Sequence, residues 1–112
     1  METEISYKDR RFLAMALKTA AKSTHPQHRM GVVVTKGGAV KSTACNLTTW
    51  GSHAERRAVR PHMDMEGCTV YIIRKNLRCS APCPLCREAL IEAGIKCIIY
   101  YNENHQIQRE NL

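Results

Sequence analysis

The chain is 112 residues long, 44% hydrophobic, and carries a formal net charge of +7. That length suits one domain, residues 1–112, and the apolar content supplies one core and excludes a disordered chain. No apolar run approaches the ~20 residues of a membrane span, and the opening METEISYKDRRF lacks the basic-then-apolar order of a secretion signal, so a soluble, cytoplasmic protein with no membrane partner is expected.

The elements follow in order. Residues 6–23 predict a helix, with Leu13, Ala16, Leu17 and Ala20 at helical spacing among Lys and Arg. THPQH breaks it. MGVVVT, 30–35, is a β-branched run of the kind covered on both faces. Gly37-Gly38 predicts a hairpin turn into a second strand, Ala39 to Asn46. After the loop LTTWGS, a short helix should begin near His53 and stop by Pro61, which cannot continue it. CTVYII, 68–73, predicts a third strand. Residues 83–93 predict a helix, with Leu85, Ala89 and Ala93 on one face and Gly94 as the stop. IKCIIYY, 95–101, is a fourth strand, and HQIQRE a fifth after a turn at Asn102–Asn104. The order α-β-β-α-β-α-β-β predicts an α/β fold: a mixed sheet with helices on both faces. Only a turn separates the last two strands, so they should pair antiparallel.

Two stretches carry chemistry. SHAERRA, 52–58, sets His53 and Glu55 two residues apart, ahead of Arg56 and Arg57. Alone, it is equally the polar face of a surface helix. APCPLC, 81–86, sets Cys83 and Cys86 three apart at a helix start, where partial positive charge favours thiolates. A lone Cys-x-x-Cys is half a structural zinc site, a redox pair or two buried cysteines. A second such pair is missing, and the motif comes too late in the chain for a thioredoxin-like arrangement. With His53 as a third ligand the set becomes His-Cys-Cys, which leaves zinc a fourth position open to water, as in catalytic sites. Residues two apart on a helix point ~200° from each other. His53 and Glu55 therefore reach one site only off the helix's N-terminal end, where Glu55 is placed to carry a proton. The remaining cysteines, Cys45, Cys68, Cys79 and Cys97, read as small core residues, with Cys79 a spare ligand. The basic balance favours anionic partners such as nucleotides or nucleic acid.

His-Ala-Glu at 53–55 with Pro-Cys-x-x-Cys at 82–86 resembles the zinc-dependent cytidine and deoxycytidylate deaminase superfamily. The likeness extends over the leading helix, HRMGVVVTKGGAVKSTACN and AGIKCIIYY. It implies a three-layer α-β-α fold with a five-stranded mixed sheet. It implies one zinc ion per chain, held by His53, Cys83 and Cys86, with Glu55 shuttling a proton from water to the ring nitrogen and then to the departing amine. Backbone groups at Ala54 and along Ser80-Ala81 would hold the base. Asn46, otherwise a strand-end turn residue, would contact sugar or base. Trp50 would stack on a base or pack on an oligomer partner.

The implied reaction turns a cytosine-containing nucleoside or nucleotide (cytidine, deoxycytidine or a monophosphate) into its uracil form with release of ammonia. The alternative is a cytosine or adenine deaminase acting on single-stranded DNA or RNA. His53 matches the deoxycytidylate, tRNA-adenosine and polynucleotide branches, whereas free-cytidine enzymes often place Cys there. Those branches commonly insert a helix between the last two strands, and here only a turn stands there. Arg56 would offset thiolate charge. Arg57 and Arg60 would bind phosphate, sit at a subunit interface or lie on a solvated face. His25 and His28 fall in a loop that borders the pocket in this family. Self-association is expected, because a chain this compact needs a neighbour's loops to deepen its pocket.

Overall fold

A computed structural model describes residues 5–24, 28–46, 54, 58 and 64–112. The first helix, α1, spans Tyr7–Ala20 and is started by a capping box. The Ser6 hydroxyl accepts from the Asp9 N–H, and the Asp9 carboxylate accepts from the Ser6 N–H. The helix ends three residues short of the predicted 23. Ser23 turns back, its N–H donating to the Ala20 carbonyl and its hydroxyl to Asn46, and that pulls the chain off the helical path.

The strands are β1 (Met30–Lys36), β2 (Ala39–Cys45), β3 (Thr69–Arg74), β4 (Cys97–Tyr101) and β5 (Ile107–Asn111), and the second full helix, α2, is Pro84–Glu92. They form one sheet in the order β2-β1-β3-β4-β5. β1 pairs antiparallel with β2 and β3. β3 and β4 are parallel, joined by the crossover that contains α2, and β5 returns antiparallel as predicted. Gly37 and Gly38 both hold positive φ, 60° and 84°, the backbone that matches a two-residue hairpin to strand twist. The β4–β5 turn is organised by Asn102, whose Oδ1 accepts from the Asn104 and Gln106 N–H groups.

Alternation along the strands divides the core in two. On one face Val33, Tyr71, Ile73 and Ile99 meet Phe12, Leu13 and Ala16 of α1. On the other, Val32, Val34, Val70, Ile72 and Ile98 meet Leu90 of α2 together with Ala54 and Ala58. Ala54 and Ala58 are helical and fully buried, four residues apart, as the side of a helix packed on the sheet requires. The molecule is therefore the expected three-layer α-β-α arrangement. Gly31 sets the spacing of the α1 layer: a Cβ there would lie 2.0 Å from the Ala16 carbonyl oxygen.

Topology also fixes where chemistry can gather. β2, β3 and β4 run in the same direction, because β1 opposes both β2 and β3. Their carboxyl ends share one edge, where open α/β sheets place ligands. The chain leaving β2 at Asn46 toward SHAERRA and the chain leaving β3 at Arg74 toward Cys83 both depart from it.

Candidate active site

The two cysteines of the second motif sit at the head of α2. Cys83 is the N-cap residue, extended at φ −68° and ψ 164°, and makes no side-chain cap bond; Pro84 follows at the first turn. The helix thus begins one residue later than predicted. The Cys83 carbonyl accepts from the Arg87 N–H at 2.8 Å, which closes that turn. Cys83 is exposed and Cys86 is buried, so one residue of the pair faces solvent and the other is enclosed. All six cysteines are thiols, with no disulfide among them. Of the four cysteines read as core residues, Cys68 and Cys97 are buried but Cys45 and Cys79 are only half-buried. Cys45 ends an edge strand and Cys79 lies on a surface loop, so nothing covers them completely.

The crossover that delivers Cys83 is clamped by Ser80, which is fully buried. Its hydroxyl donates to the Ile72 carbonyl at 2.8 Å and accepts from the Tyr101 N–H at 3.1 Å. Its own N–H donates to the Tyr101 carbonyl at 2.9 Å. One serine thereby ties the loop to the ends of both parallel strands. The side chain and N–H are spent on this, so only the Ser80 carbonyl and the exposed Ala81 backbone remain to meet a base. Ala81 also borders a cleft of about 290 Å³ that Cys79, Tyr100, Asn102 and Gln108 line.

Behind the motif, α2 is pinned to β5. Arg87 forms an ion pair with Glu110, which also accepts from the Tyr100 hydroxyl at 2.8 Å. Burial raises the Tyr100 pKa, and the neighbouring Glu110 raises it further.

Asn46 is buried at the end of β2, and its amide is largely committed. Oδ1 accepts from the Met30 N–H at 2.9 Å and the Ser23 hydroxyl at 2.7 Å, and Nδ2 donates to the His28 carbonyl. One Nδ2 hydrogen is unassigned among the described residues, so Asn46 can offer a ligand a donor and no acceptor.

His53, Glu55, Trp50, His25, Arg56, Arg57 and Arg60 lie outside the described residues; of the first motif only Ala54 and Ala58 are described. Among the described residues no three metal-capable side chains gather. The donor set nonetheless suits zinc: two thiols come from one helix turn, next to the free N–H groups that favour thiolates.

Sequence reasoning passed over one group of cations at the same edge. Register pairs Met30 with Arg74, and the Lys75 N–H donates to the Arg29 carbonyl at 2.9 Å. That pairing brings Arg29, Arg74 and Lys75 together, which linear spacing does not show. Arg74 Nε is buried with no hydrogen-bond partner among the described residues, a state that costs about 1–3 kcal/mol.

Comparison with known proteins agrees with this geometry. The model of the cytidine and deoxycytidylate deaminase zinc-binding region matches residues 6–102. A probable cytosine deaminase of Schizosaccharomyces pombe is 33% identical over 91% of this chain and 66% of its own length. The riboflavin biosynthesis protein RibD of Actinobacillus pleuropneumoniae is 34% identical over 84% of this chain, which covers 25% of that protein. The chain thus spans about two thirds of the first relative and a quarter of the second. A crystal structure of cytidine deaminase from Burkholderia pseudomallei shares the fold, with a TM-score of 0.73 at 16% identity over 96% of this chain and 93% of that one. By its motifs, its layered sheet and this match across most of its length, the chain belongs to the cytidine and deoxycytidylate deaminase zinc-binding family.

Proposed function

We propose that the protein is a zinc-dependent hydrolytic deaminase acting on the amino group of a free cytosine-containing nucleoside or nucleotide. The observation that carries this reading is the pair of cysteines at the head of α2, at the sheet edge where the chain also leaves β2 at Asn46. In this reading His53, Cys83 and Cys86 hold one zinc ion. Zinc, when bound, would supply a water whose pKa is lowered toward ~7. Glu55 takes a proton from the attacking water and gives it to the ring nitrogen, then moves the second proton to the amine. A C–O bond forms at the amine-bearing carbon, the C–N bond breaks, and ammonia leaves. The Ser80 carbonyl and the Ala54 and Ala81 backbone hold the base. Asn46 donates its remaining amide hydrogen to sugar or base, Trp50 supplies a stacking surface, and self-association completes the pocket.

The test is release of ammonia by the zinc-loaded protein from cytosine, cytidine, deoxycytidine, their monophosphates and a cytosine-containing single-stranded oligonucleotide. Glu55→Ala serves as the blank. Turnover of a free nucleoside or nucleotide, abolished in Glu55→Ala with zinc retained, is the expected result, and turnover of free cytosine alone would move the substrate to the bare base. Turnover of the oligonucleotide alone would transfer the substrate to a nucleic-acid strand, and near-normal turnover by Glu55→Ala would remove the proton shuttle from Glu55.

A further inference from the structure

At the same sheet edge, His28, Arg29, Arg74, Lys75 and Asn76 line a cleft of about 200 Å³. Three of these carry permanent positive charge, and none of the described lining residues is acidic. Arg29 and Lys75 are exposed, whereas Arg74 is half-buried. Its Nε is buried without an acceptor among the described residues. A charged donor in that state is stabilised by any anion that enters.

The cleft's position connects it to the candidate active site. By strand alternation Arg74 lies on the face of Ile72, the face on which Ala54 and Leu90 pack. Arg74–Asn76 open the crossover that ends at Cys83. The His28 carbonyl accepts from the Asn46 amide, so the cleft wall is one hydrogen bond from that substrate candidate.

Size decides what the cleft can hold. Pockets for whole small-molecule ligands run to about 300–1,000 Å³. At about 200 Å³ this cleft is too small for a nucleoside, but it has room for one hydrated anion. Arginine's planar fork and lysine's point charge are the two donors that phosphate most often recruits.

We propose that this cleft binds the phosphate monoester of a nucleoside monophosphate, which makes the charged end of the substrate a specificity determinant. The choice of substrate rests on the deaminase reading; the anion site itself does not.

The zinc-loaded full chain is the material for the test. Inorganic phosphate titrated into isotopically labelled protein is expected to shift the Arg74 Nε–H resonance saturably. Lys75→Gln, at an exposed position, should weaken that binding several-fold. An Arg74 resonance that phosphate leaves unmoved overturns the proposal whatever the enzyme turns over. In kinetics, kcat/KM for deoxycytidine monophosphate should exceed that for deoxycytidine. Arg74→Gln and Lys75→Gln should each cut this preference at least tenfold, and Lys96→Gln, the same charge change at the opposite sheet edge, should not. Equal preference in all four proteins overturns the proposal. So does an oligonucleotide that binds through Arg74 as tightly as the monophosphate, because the cleft would then read a strand. If phosphate moves the Arg74 resonance but no base is deaminated, the deaminase reading fails and the anion site stands.

Discussion

Asp9 shows how one residue can serve two levels of structure. It closes the capping box of α1, accepts from the Tyr71 hydroxyl at 2.7 Å and pairs with Arg109 at 2.6 Å. It thus joins the head of the first helix to the third and last strands. Burial raises its pKa, but the bonds from Tyr71 and Ser6 and the Arg109 charge outweigh this and hold it below the ordinary 3.8. A depressed carboxylate pKa contributes stability above the ordinary carboxylate range and loses it as pH falls below about 4. Asp9→Asn should therefore cost on the order of 3 kcal/mol at neutral pH, because it leaves the Arg109 charge poorly matched. It should also flatten the acid limb of stability, read by urea unfolding at several pH values. An acid limb identical to the parent's would show that Asp9 does not carry it. The ties from Asp9 to Tyr71 and Arg109 were not legible in the sequence. Asp9 and Arg109 are 100 positions apart, and no periodicity links a helix cap to an edge strand.

At the scale of elements, legibility followed how local the cause was. The β-branched run of β1, the paired glycines of the first hairpin and the i, i+4 pattern of α2 each specify their structure from within, and each formed within a residue or two of expectation. The end of α1 did not, because Ser23 is drawn away by Asn46, a partner 23 residues downstream. The same bonds alter the reading of Asn46 itself: its position at a strand end was legible, but the commitment of its amide was not. Packing between layers was also hidden. Gly31 looks like one residue of a strand, yet it is where α1 lies directly on the β1 backbone. Gly31→Ala drives a methyl into the Ala16 carbonyl and the Ala20 amide, which are backbone atoms that cannot swing aside. Overpacking of this kind costs about 1–3 kcal/mol, and a contact with main chain belongs at or above the top of that range. Thermal unfolding should show the loss, whereas a variant as stable as the parent would mean that α1 shifts freely on the sheet.

For the whole molecule, the sheet order brings together what the chain keeps apart. The sequence supplied the ligand types and their spacing. It did not supply the shared edge from which both motif-bearing segments depart, since that follows from β1 opposing both β2 and β3. Under the proposed ligand set, zinc would bridge α2 and the segment that contains Ala54, two pieces of one helical layer. Metal that binds the folded chain but not the unfolded one adds stability by mass action, about 4 kcal/mol when free zinc stands at 1,000 times its dissociation constant. For a domain near this size each kcal/mol moves the melting temperature by about 4–8 °C. Removing zinc with a chelator should therefore lower the melting temperature by ten degrees or more, and added zinc should restore it. Cys86→Ser should melt near the chelated parent and respond little to added zinc, because a buried hydroxyl is a poor substitute for a thiolate. Two results would contradict the bridge: a parent whose melting ignores the chelator, or a Cys86→Ser protein that still carries one zinc per chain by metal analysis.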